Sequence, residues 1–292
     1  MSRLALALVL ASMLAMSAST AGAEERRSGG KLLLTDGVSS VEGAAGGGLA
    51  TWAVIAGHET GDGNGATAHA TYVALPDFDL ASAGAAIGFS DRVELSYSYQ
   101  RLDTRAAGAA LGLGHGFVFG QHVLGAKVRL IGDAVWDQDT ILPQIAVGIQ
   151  YKIADGGAVL HAVGAAQTRS ADFYVAATKI WLAQSLVLNA TVRFTKANQF
   201  GLLGFGGDRD ASRSAQFEGS VGRLLTPSLL VGGEYRTRPD NLRFAHEQRG
   251  CDVFAAWAVH RNASITVAYA DLGDVATFKD QRGLFVSLQG AF

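Results

Sequence analysis

The sequence predicts an all-β protein: a transmembrane, antiparallel, up-and-down β-barrel of fourteen strands, with twelve strands as the alternative. Three features predict this fold. The chain opens with an apolar export leader, it contains successive segments of about ten residues in which apolar and polar side chains alternate, and it ends on an apolar strand that finishes with Phe292. The same features indicate a bacterial outer membrane and contact with its lipids.

The closing strand, residues 283–292, has the clearest alternation. Its even-numbered positions from Leu284 to Phe292 are apolar, whereas the odd-numbered positions are small or polar, with Phe285 as the exception. A period of two indicates a strand with one apolar face. We expect this strand to close the barrel and to be the segment that the barrel-assembly machinery recognises.

The leader, residues 1–23, has the composition of a cleaved signal peptide. Arg3 supplies the positive start, residues 4–16 supply the apolar run, and residues 21–23 (AGA) form a small-residue cleavage site. An uncleaved anchor helix fits less well because the apolar run is short for a bilayer span. Cys251 is the single cysteine of the sequence, so no intrachain disulfide can form.

The composition excludes several classes of protein. Lys and Arg number 24 against 26 Asp and Glu, a net charge of −2 that gives no reason to expect nucleic acid as a partner. Charged residues make up 17% of the chain and glycines number 37, which suits strands between lipid and a lumen. The uncharged stretch 106–126 contains six glycines and two histidines, so it is a poor membrane helix.

The sequence divides into three parts. The signal peptide is followed by a glycine-rich segment, residues 24–48, which forms either a first strand or a segment folded into the lumen. Residues 46–48 are glycines, but the lysine and hydroxyl of a phosphate-binding loop are missing. Residues 49–292 then form the barrel.

Alternation within this last part yields thirteen candidate strands. Their length suits a tilted membrane strand of about ten residues. They are residues 49–57, 66–75, 80–89, 93–101, 121–132, 143–153, 172–181, 185–196, 215–225, 229–238, 251–260, 264–272 and 283–292.

One hairpin of this set also predicts its own register. If Leu225 faces Leu229 across the turn, Glu218 lies opposite Arg236 and Ser220 opposite Glu234. The same register places Tyr235 over Gly219 on the apolar face. Opposite charges, and an aromatic ring covering a glycine, are both favourable cross-strand pairs.

The connections between strands are of two kinds. Residues 90–92, 182–184, 226–228 and 261–263 are tight turns, whereas residues 154–171, 197–214, 239–250 and 273–282 are long loops. Counted back from a closing strand that ends in the periplasm, the tight turns are periplasmic and the long loops are external, as in bacterial barrels. Thirteen strands would place the N-terminus on the external side, although it should lie in the periplasm with the end of the closing strand. Either residues 31–42 add a strand, giving fourteen, or one early candidate is not a strand, giving twelve.

Several strings resemble a known family. They are KLLLTDGVSSVEGAAGGGLATWAVI at 31–55, GDAVWDQDTILPQIAVGIQYK at 132–152, DFYVAATKIWLAQSLVLNATVRFTKANQFGLLGFGGD at 172–208 and DQRGLFVSLQGAF at 280–292. They are similar to a family of uncharacterised proteobacterial outer-membrane proteins, a domain of unknown function numbered 3034. The resemblance implies export and an outer-membrane location. It implies no activity, because that family has no assigned substrate or catalytic residues.

The polar faces of the strands supply candidates for a lumen lining. Such side chains either select solutes in a water-filled channel or neutralise one another in a filled lumen. Basic residues outnumber glutamates, so a conducting pore would prefer anions. The candidates are Glu94, Lys127, Arg129, Gln150, Lys152, Asn189, Arg193, Glu218, Glu234, Arg236 and Arg238.

The external loop 198–210 is unusually apolar. Phe200, Leu202, Leu203 and Phe205 alternate with glycines there. Such a loop either folds inward to constrict the barrel, grips a hydrophobic ligand, or packs on its own rim. The first two alternatives would give these four side chains a functional role.

The sequence does not predict an enzyme. Some outer-membrane barrels hydrolyse lipids with a serine and a histidine at the rim, but none of the histidines follows a pattern that places it near a particular serine. His115 and His122, in a glycine-rich loop, have no carboxylate or cysteine at metal-ligand spacing. We therefore expect no catalytic residues, no metal and no cofactor. The histidines are His58, His69, His115, His122, His161, His246 and His260.

The expected role is thus that of a monomeric, porin-like channel or uptake protein for a small solute of unknown identity. The alternatives are a closed structural barrel, a transporter of hydrophobic ligands and, less well supported, a lipid hydrolase.

Overall fold

Antiparallel strands close into a twelve-stranded barrel in the computed structural model, which describes residues 30–292. Each strand pairs with the next one along the chain, and the last pairs with the first. The strands are β1 (Asn64–Ala74), β2 (Asp79–Phe89), β3 (Val93–Asp103), β4 (Val118–Ile131), β5 (Gln144–Ala154), β6 (Arg169–Trp181), β7 (Leu186–Thr195), β8 (Ser214–Thr226), β9 (Leu229–Arg236), β10 (Gly250–His260), β11 (Ala263–Asp271) and β12 (Arg282–Ala291).

The up-and-down antiparallel barrel is therefore confirmed with twelve strands, and the prediction of fourteen is wrong. Residues 49–57 contain no barrel strand, and residues 31–42 contribute to none. The early segment forms only a two-residue pairing, Val38–Ser39 with Ala45–Gly46. The predicted signal peptide, residues 1–23, lies outside the described residues.

The early segment resembled a strand because the same small and apolar residues are buried in a strand and in a segment packed inside the lumen. Every residue from Leu34 to Gly57 is buried, so small and apolar side chains fill positions without regard to a two-residue period. This stretch lies inside the barrel rather than in its wall, and its backbone groups bond to side chains of the wall. We call residues 31–57 the plug.

The barrel wall separates its two faces by strict alternation. In β3, Glu94, Ser96 and Ser98 are buried inside, whereas Leu95 and Tyr97 are exposed outside. Large apolar side chains are likewise exposed on the outer face of the other strands, as Val253 and Trp257 are on β10. An apolar outer surface over polar inner positions is the arrangement of a barrel that is solvated by hydrocarbon.

The register predicted for the β8–β9 hairpin is confirmed. Glu218 pairs with Arg236, Gly219 with Tyr235, and Ser220 with Glu234. The ladder is irregular between Leu224 and Thr226, so Leu225 itself has no partner in it.

The two ends of the barrel differ as predicted. We call the end with the start of β1 and the end of β12 the terminal rim, and the opposite end the loop rim. The tight turns 90–92, 182–185, 227–228 and 261–262 lie at the terminal rim, together with a longer connection, residues 132–143. The loop rim carries residues 104–117, 155–168, 196–213, 237–249 and 272–281, and one short turn, residues 75–78.

Short helices occur among the loops of the described chain, namely Ala107–Ala110, Gly157–Ala162 and the 3₁₀ turn Asn198–Gly201. None of the described helices has the length and apolar character that a membrane crossing requires.

Hydrogen bonds attach the plug to the terminal rim. The Lys31 amide donates to the His58 carbonyl at 2.8 Å, and the His58 amide donates to the Phe292 carbonyl at 3.0 Å. The same Phe292 carbonyl accepts from the Ala66 amide at 3.0 Å, next to the closing pair of strands. The plug therefore begins and ends at the terminal rim and reaches up into the lumen between those two points.

The close packing of the inner face predicts that Gly148→Ala destabilises the barrel. An alanine Cβ there would overlap the ring of Tyr174, which lies opposite on β6 and in turn lies under the Arg193 guanidinium. We expect a loss of about 1–3 kcal/mol in the free energy of unfolding, measured by urea denaturation of the refolded barrel in micelles. Gly61→Ala is the control, because nothing lies within 4 Å of a Cβ at Gly61. Equal stabilities of the two variants would contradict the packing described.

Candidate functional site

Side chains of the wall bind backbone atoms of the plug, and the plug forms no strand pairing with the wall. Glu94 on β3 accepts from the amides of Ala45 and Ala56, at 3.2 and 2.9 Å. Lys127, its cross-strand neighbour on β4, lies 3.0 Å from Glu94 and donates to the carbonyls of Ala45 and Trp52. One ion pair thus bonds to amides and carbonyls of the plug that form no ladder with the wall, as buried backbone groups require.

The opposite side of the wall binds the plug in the same manner. Glu234 accepts from the Leu49 amide at 2.7 Å, and Glu218 accepts from the Thr51 amide at 2.8 Å. Asn189 donates to the Thr51 carbonyl at 3.2 Å. Because these contacts are made to backbone atoms, they hold the path of the plug without demanding particular plug side chains.

One plug side chain has a different role. The carboxylate of Glu42 is fully buried, and it contacts Lys152 on β5, Arg193 on β7 and Arg236 on β9. Arg236 donates to both carboxylate oxygens, at 3.0 and 3.1 Å, and an Arg193 nitrogen lies 3.7 Å away. We call Glu42 with these three cations the Glu42 site.

Two carboxylates of the wall surround the Glu42 site. Asp172 lies 2.8 Å from Lys152, and Glu218 lies 2.5 Å from Arg193 and 3.3 Å from Arg236. Three cations therefore face three carboxylates, and one of those three belongs to the plug. Removal of Glu42 alone would leave these five groups of the wall with one excess positive charge.

The apolar loop folds inward and covers the Glu42 site from the loop rim. The Phe200 carbonyl accepts from Lys152 and from Gln121, both at 3.2 Å. Its ring lies over the guanidinium groups of Arg236 and Arg238, at 4.7 and 5.1 Å. Leu202, Leu203 and Phe205 are buried as well. We call residues 198–206 the inward loop.

A buried carboxylate in a neighbouring loop holds the inward loop in place. Glu247 accepts from the Gln199 amide at 2.8 Å and lies 3.4 Å from Arg238, which donates to the Gln199 side chain. Gln199 and Phe200 both adopt positive φ angles, 48° and 62°, so the turn needs such support. Burial raises the pKa of Glu247 to about 7, although Arg238 opposes the shift.

The predicted lumen-lining residues lie on strands of the wall, except Arg238, which follows the end of β9 in the loop 237–249. All are buried except Arg129, which is partly exposed at the terminal rim and lies 2.6 Å from Asp91 and 3.3 Å from Asp133. Gln150 and Arg193 are bonded to each other at 2.5 Å. In the conformation described, these side chains contact the plug or one another, except Arg129 and Arg238, which contact residues of the two rims.

Three buried carboxylates of the lumen were not among the residues predicted from the sequence. Asp172 and Asp252 occupy inward positions of strands that had been identified, so the alternation itself contained the signal. Asp252 lies beside Glu234 in the ladder, and its Oδ1 has no hydrogen-bond partner among the described residues. Glu42 carried no such signal, because its three partners come from distant strands.

The histidines lie in places that differ partly from expectation. His122 belongs to β4, not to a glycine-rich loop, and bonds to the Tyr97 hydroxyl at 2.9 Å. His69 lies 3.3 Å from the Ser82 hydroxyl, but both are buried in the wall, and Ser82 donates to the plug carbonyl of Val41. Within residues 30–292, no three His, Cys, Asp or Glu side chains are grouped to hold a metal ion.

Comparison with known proteins gives a family and a fold. A family model described as "Protein of unknown function (DUF3034)" matches residues 35–289. No curated protein matches the sequence.

The structure is similar to solved porins. A KdgM porin is 9% identical with a TM-score of 0.50, over 77% of this chain and 99% of that one. A KdgM porin in complex with disordered oligogalacturonate is 10% identical, with the same coverage and TM-score. A NanC porin is 9% identical with a TM-score of 0.48, over 78% of this chain and 98% of that one. At these identities the likeness extends to the fold alone.

The raised pKa of Glu247 predicts that stability depends on pH at this loop. The unfolded carboxyl titrates near 4.5, whereas the folded one titrates near 7. The folded state therefore retains a proton that the unfolded state has lost. Stability is greatest below the unfolded pKa, and it falls as the pH rises from 4.5 to about 7.

Urea denaturation of the wild type and of Glu247→Gln checks this expectation. The two proteins should be equally stable at low pH, and the wild type should lose on the order of 3 kcal/mol relative to the variant by neutral pH. Glu59→Gln, at the terminal rim, is the control and should keep the wild-type profile. Parallel profiles for the wild type and Glu247→Gln would show that Glu247 is not the group responsible.

Proposed function

We propose that this chain, which belongs to the family of proteins of unknown function DUF3034, is a porin-like passage for small solutes across the outer membrane, with its plug as the gate. The apolar outer face supports the membrane location, since it would otherwise be exposed to water. The shared barrel fold supports a porin-like architecture.

The single observation that carries this proposal is the polar lining between wall and plug. Glu94, Lys127 and Glu234 are hydrogen-bonded to plug backbone, and water can replace every one of those bonds. A barrel that stays closed can fill its lumen with apolar side chains, which is often more stable than buried ion pairs. A hydrophilic wall is therefore explained by a lumen that is hydrated for part of the time.

The charges of the wall support an anionic solute. Withdrawal of the plug removes Glu42 and leaves Lys152, Arg193 and Arg236 facing only Asp172 and Glu218. A local excess of positive charge in a narrow lumen raises the concentration of anions there.

A second candidate function is a permanently closed structural barrel. The observation that favours it is the complete pairing at the Glu42 site, where three cations meet three carboxylates. Breaking such a buried network is costly. The two functions differ in whether the plug ever leaves.

A disulfide lock on the plug tests the gate. A Cβ at Gly43 would lie 2.9 Å from the Ser98 Cβ, so the plug has to shift from β3 by about 1 Å to reach the Cβ separation of a disulfide, about 3.8 Å. We expect the Gly43→Cys, Ser98→Cys protein, in a Cys251→Ser background, to lose single-channel conductance in planar bilayers when oxidised. Reduction should restore that conductance.

The two single-cysteine proteins are the controls: Gly43→Cys carries the strain of a side chain at Gly43 without the bridge, and Ser98→Cys carries the wall substitution alone. Equal conductance before and after reduction would exclude the plug as the gate. An absence of conductance in the reduced and wild-type proteins would favour the closed barrel.

The charge of the wall predicts the ion preference of the open state. Reversal potentials across a KCl gradient should indicate anion preference, and the preference should be strongest at low ionic strength, where screening is weakest. Arg236→Gln should reduce it, while Arg261→Gln, in a turn of the terminal rim, serves as the matched control. Cation preference of the wild type would contradict an anionic solute.

A further inference from the structure

We propose that the three cations of the Glu42 site form a binding site for the carboxylate of an amphipathic solute, and that Glu42 occupies it as a built-in substitute. This inference rests on the proposed passage and names the solute class and the site that selects it. The site is a part of the wall, whereas Glu42 belongs to the plug and can leave with it.

The geometry is that of carboxylate recognition. Arg236 presents two N–H groups to the two oxygens of Glu42, at 3.0 and 3.1 Å, which is the forked arrangement that a planar carboxylate fits. Lys152 and Arg193 contact the same carboxylate from two other strands. A free carboxylate could make each of these contacts in the same place.

The wall keeps this site assembled when Glu42 leaves. Asp172 lies 2.8 Å from Lys152, and Glu218 holds Arg193 at 2.5 Å and Arg236 at 3.3 Å. All five side chains stand on strands of the barrel, where their positions are well defined. Arg193 and Arg236 also donate to the plug, to the Thr51 hydroxyl at 2.8 Å and the Leu49 carbonyl at 3.0 Å, so water or the solute would replace these two bonds when the plug leaves.

The charge balance specifies one negative charge. With Glu42 withdrawn, three cations face two carboxylates, so the site carries one excess positive charge that attracts an anionic group. An entering monocarboxylate restores neutrality, so the exchange is one carboxylate for another. A neutral solute of the same shape leaves the excess charge in place, so its displacement of Glu42 is less favourable in free energy.

The loop rim indicates an apolar body for the solute. The Phe200 ring lies against Arg236 and Arg238, and Leu203 of the same loop lines a small cavity of about 40 Å³. The other walls of that cavity are apolar, and include Phe78, Leu102 and Phe244. A solute that displaced the inward loop would therefore have apolar side chains beside the cations. The matching class is a small aromatic or aliphatic monocarboxylate.

Disulfide trapping of the plug tests the exchange, with benzoate as the probe. Gly43 is the residue after Glu42, so the rate at which the Gly43→Cys, Ser98→Cys, Cys251→Ser protein forms its bridge reports how often Glu42 is seated. We expect benzoate to slow trapping and benzamide, its neutral analogue of the same shape, to leave it unchanged. Acetate should need at least about tenfold more anion than benzoate, because it lacks the apolar body.

Variants sharpen the test. Glu42→Gln removes the competing charge, so benzoate should bind the otherwise native chain at least about tenfold more tightly by calorimetry. Arg236→Gln should abolish the effect of benzoate, and Glu59→Gln is the control. The comparison of benzoate with benzamide on the trapping protein needs none of these substitutions, so it decides the matter even if they prevent folding.

The outcomes separate the two proposals. Equal effects of benzoate and benzamide, or none from either, would overturn the carboxylate site even if the gate conducts. Acetate as effective as benzoate would overturn the apolar body. A benzoate effect without any conductance would keep the site and overturn the passage.

Discussion

The structure depends on one constraint: a polar group that is removed from water must have a partner. The plug runs through the lumen without forming a sheet with the wall, so its amides and carbonyls cannot be satisfied by strand pairing. Glu94, Glu218 and Glu234 accept from its amides, and Lys127 donates to its carbonyls. In return, the plug satisfies carboxylates and ammonium groups that would otherwise require water inside the barrel. The polar inner face meets this requirement while the plug is seated, and water would meet it if the plug were withdrawn.

The plug and the inward loop bond to the same two cations of the wall. Lys152 contacts Glu42 of the plug and donates to the Phe200 carbonyl of the loop. Arg236 binds Glu42 with its nitrogens and the Phe200 ring with its face. Movement of either segment therefore changes the partners available to the other. A solute that competed for these cations would, through its charge, affect the plug and the inward loop at once.

Features that depend on residues close together in the sequence were predicted better than features that depend on distant contacts. The β8–β9 register followed from a short turn and from side chains that face each other within one hairpin, such as Glu218 and Arg236. Residues 49–57 were assigned wrongly to a strand, because small apolar residues bury equally well in a plug. Asp172 and Asp252 were overlooked although alternation marked them as inward-facing, whereas His122 was misplaced because the glycines before it suggested a longer loop.

The amino-acid sequence by itself determined the wall. A period of two assigns every strand residue to lipid or lumen, and the turns between strands set which end carries the long loops. Tertiary structure alone decided what fills the lumen and where the site lies. Glu42 meets Lys152 across 110 positions of sequence and Arg236 across 194, and no local pattern encodes such a meeting. It arises because closing the barrel brings distant strands around one buried carboxylate, whose charge then has to be balanced.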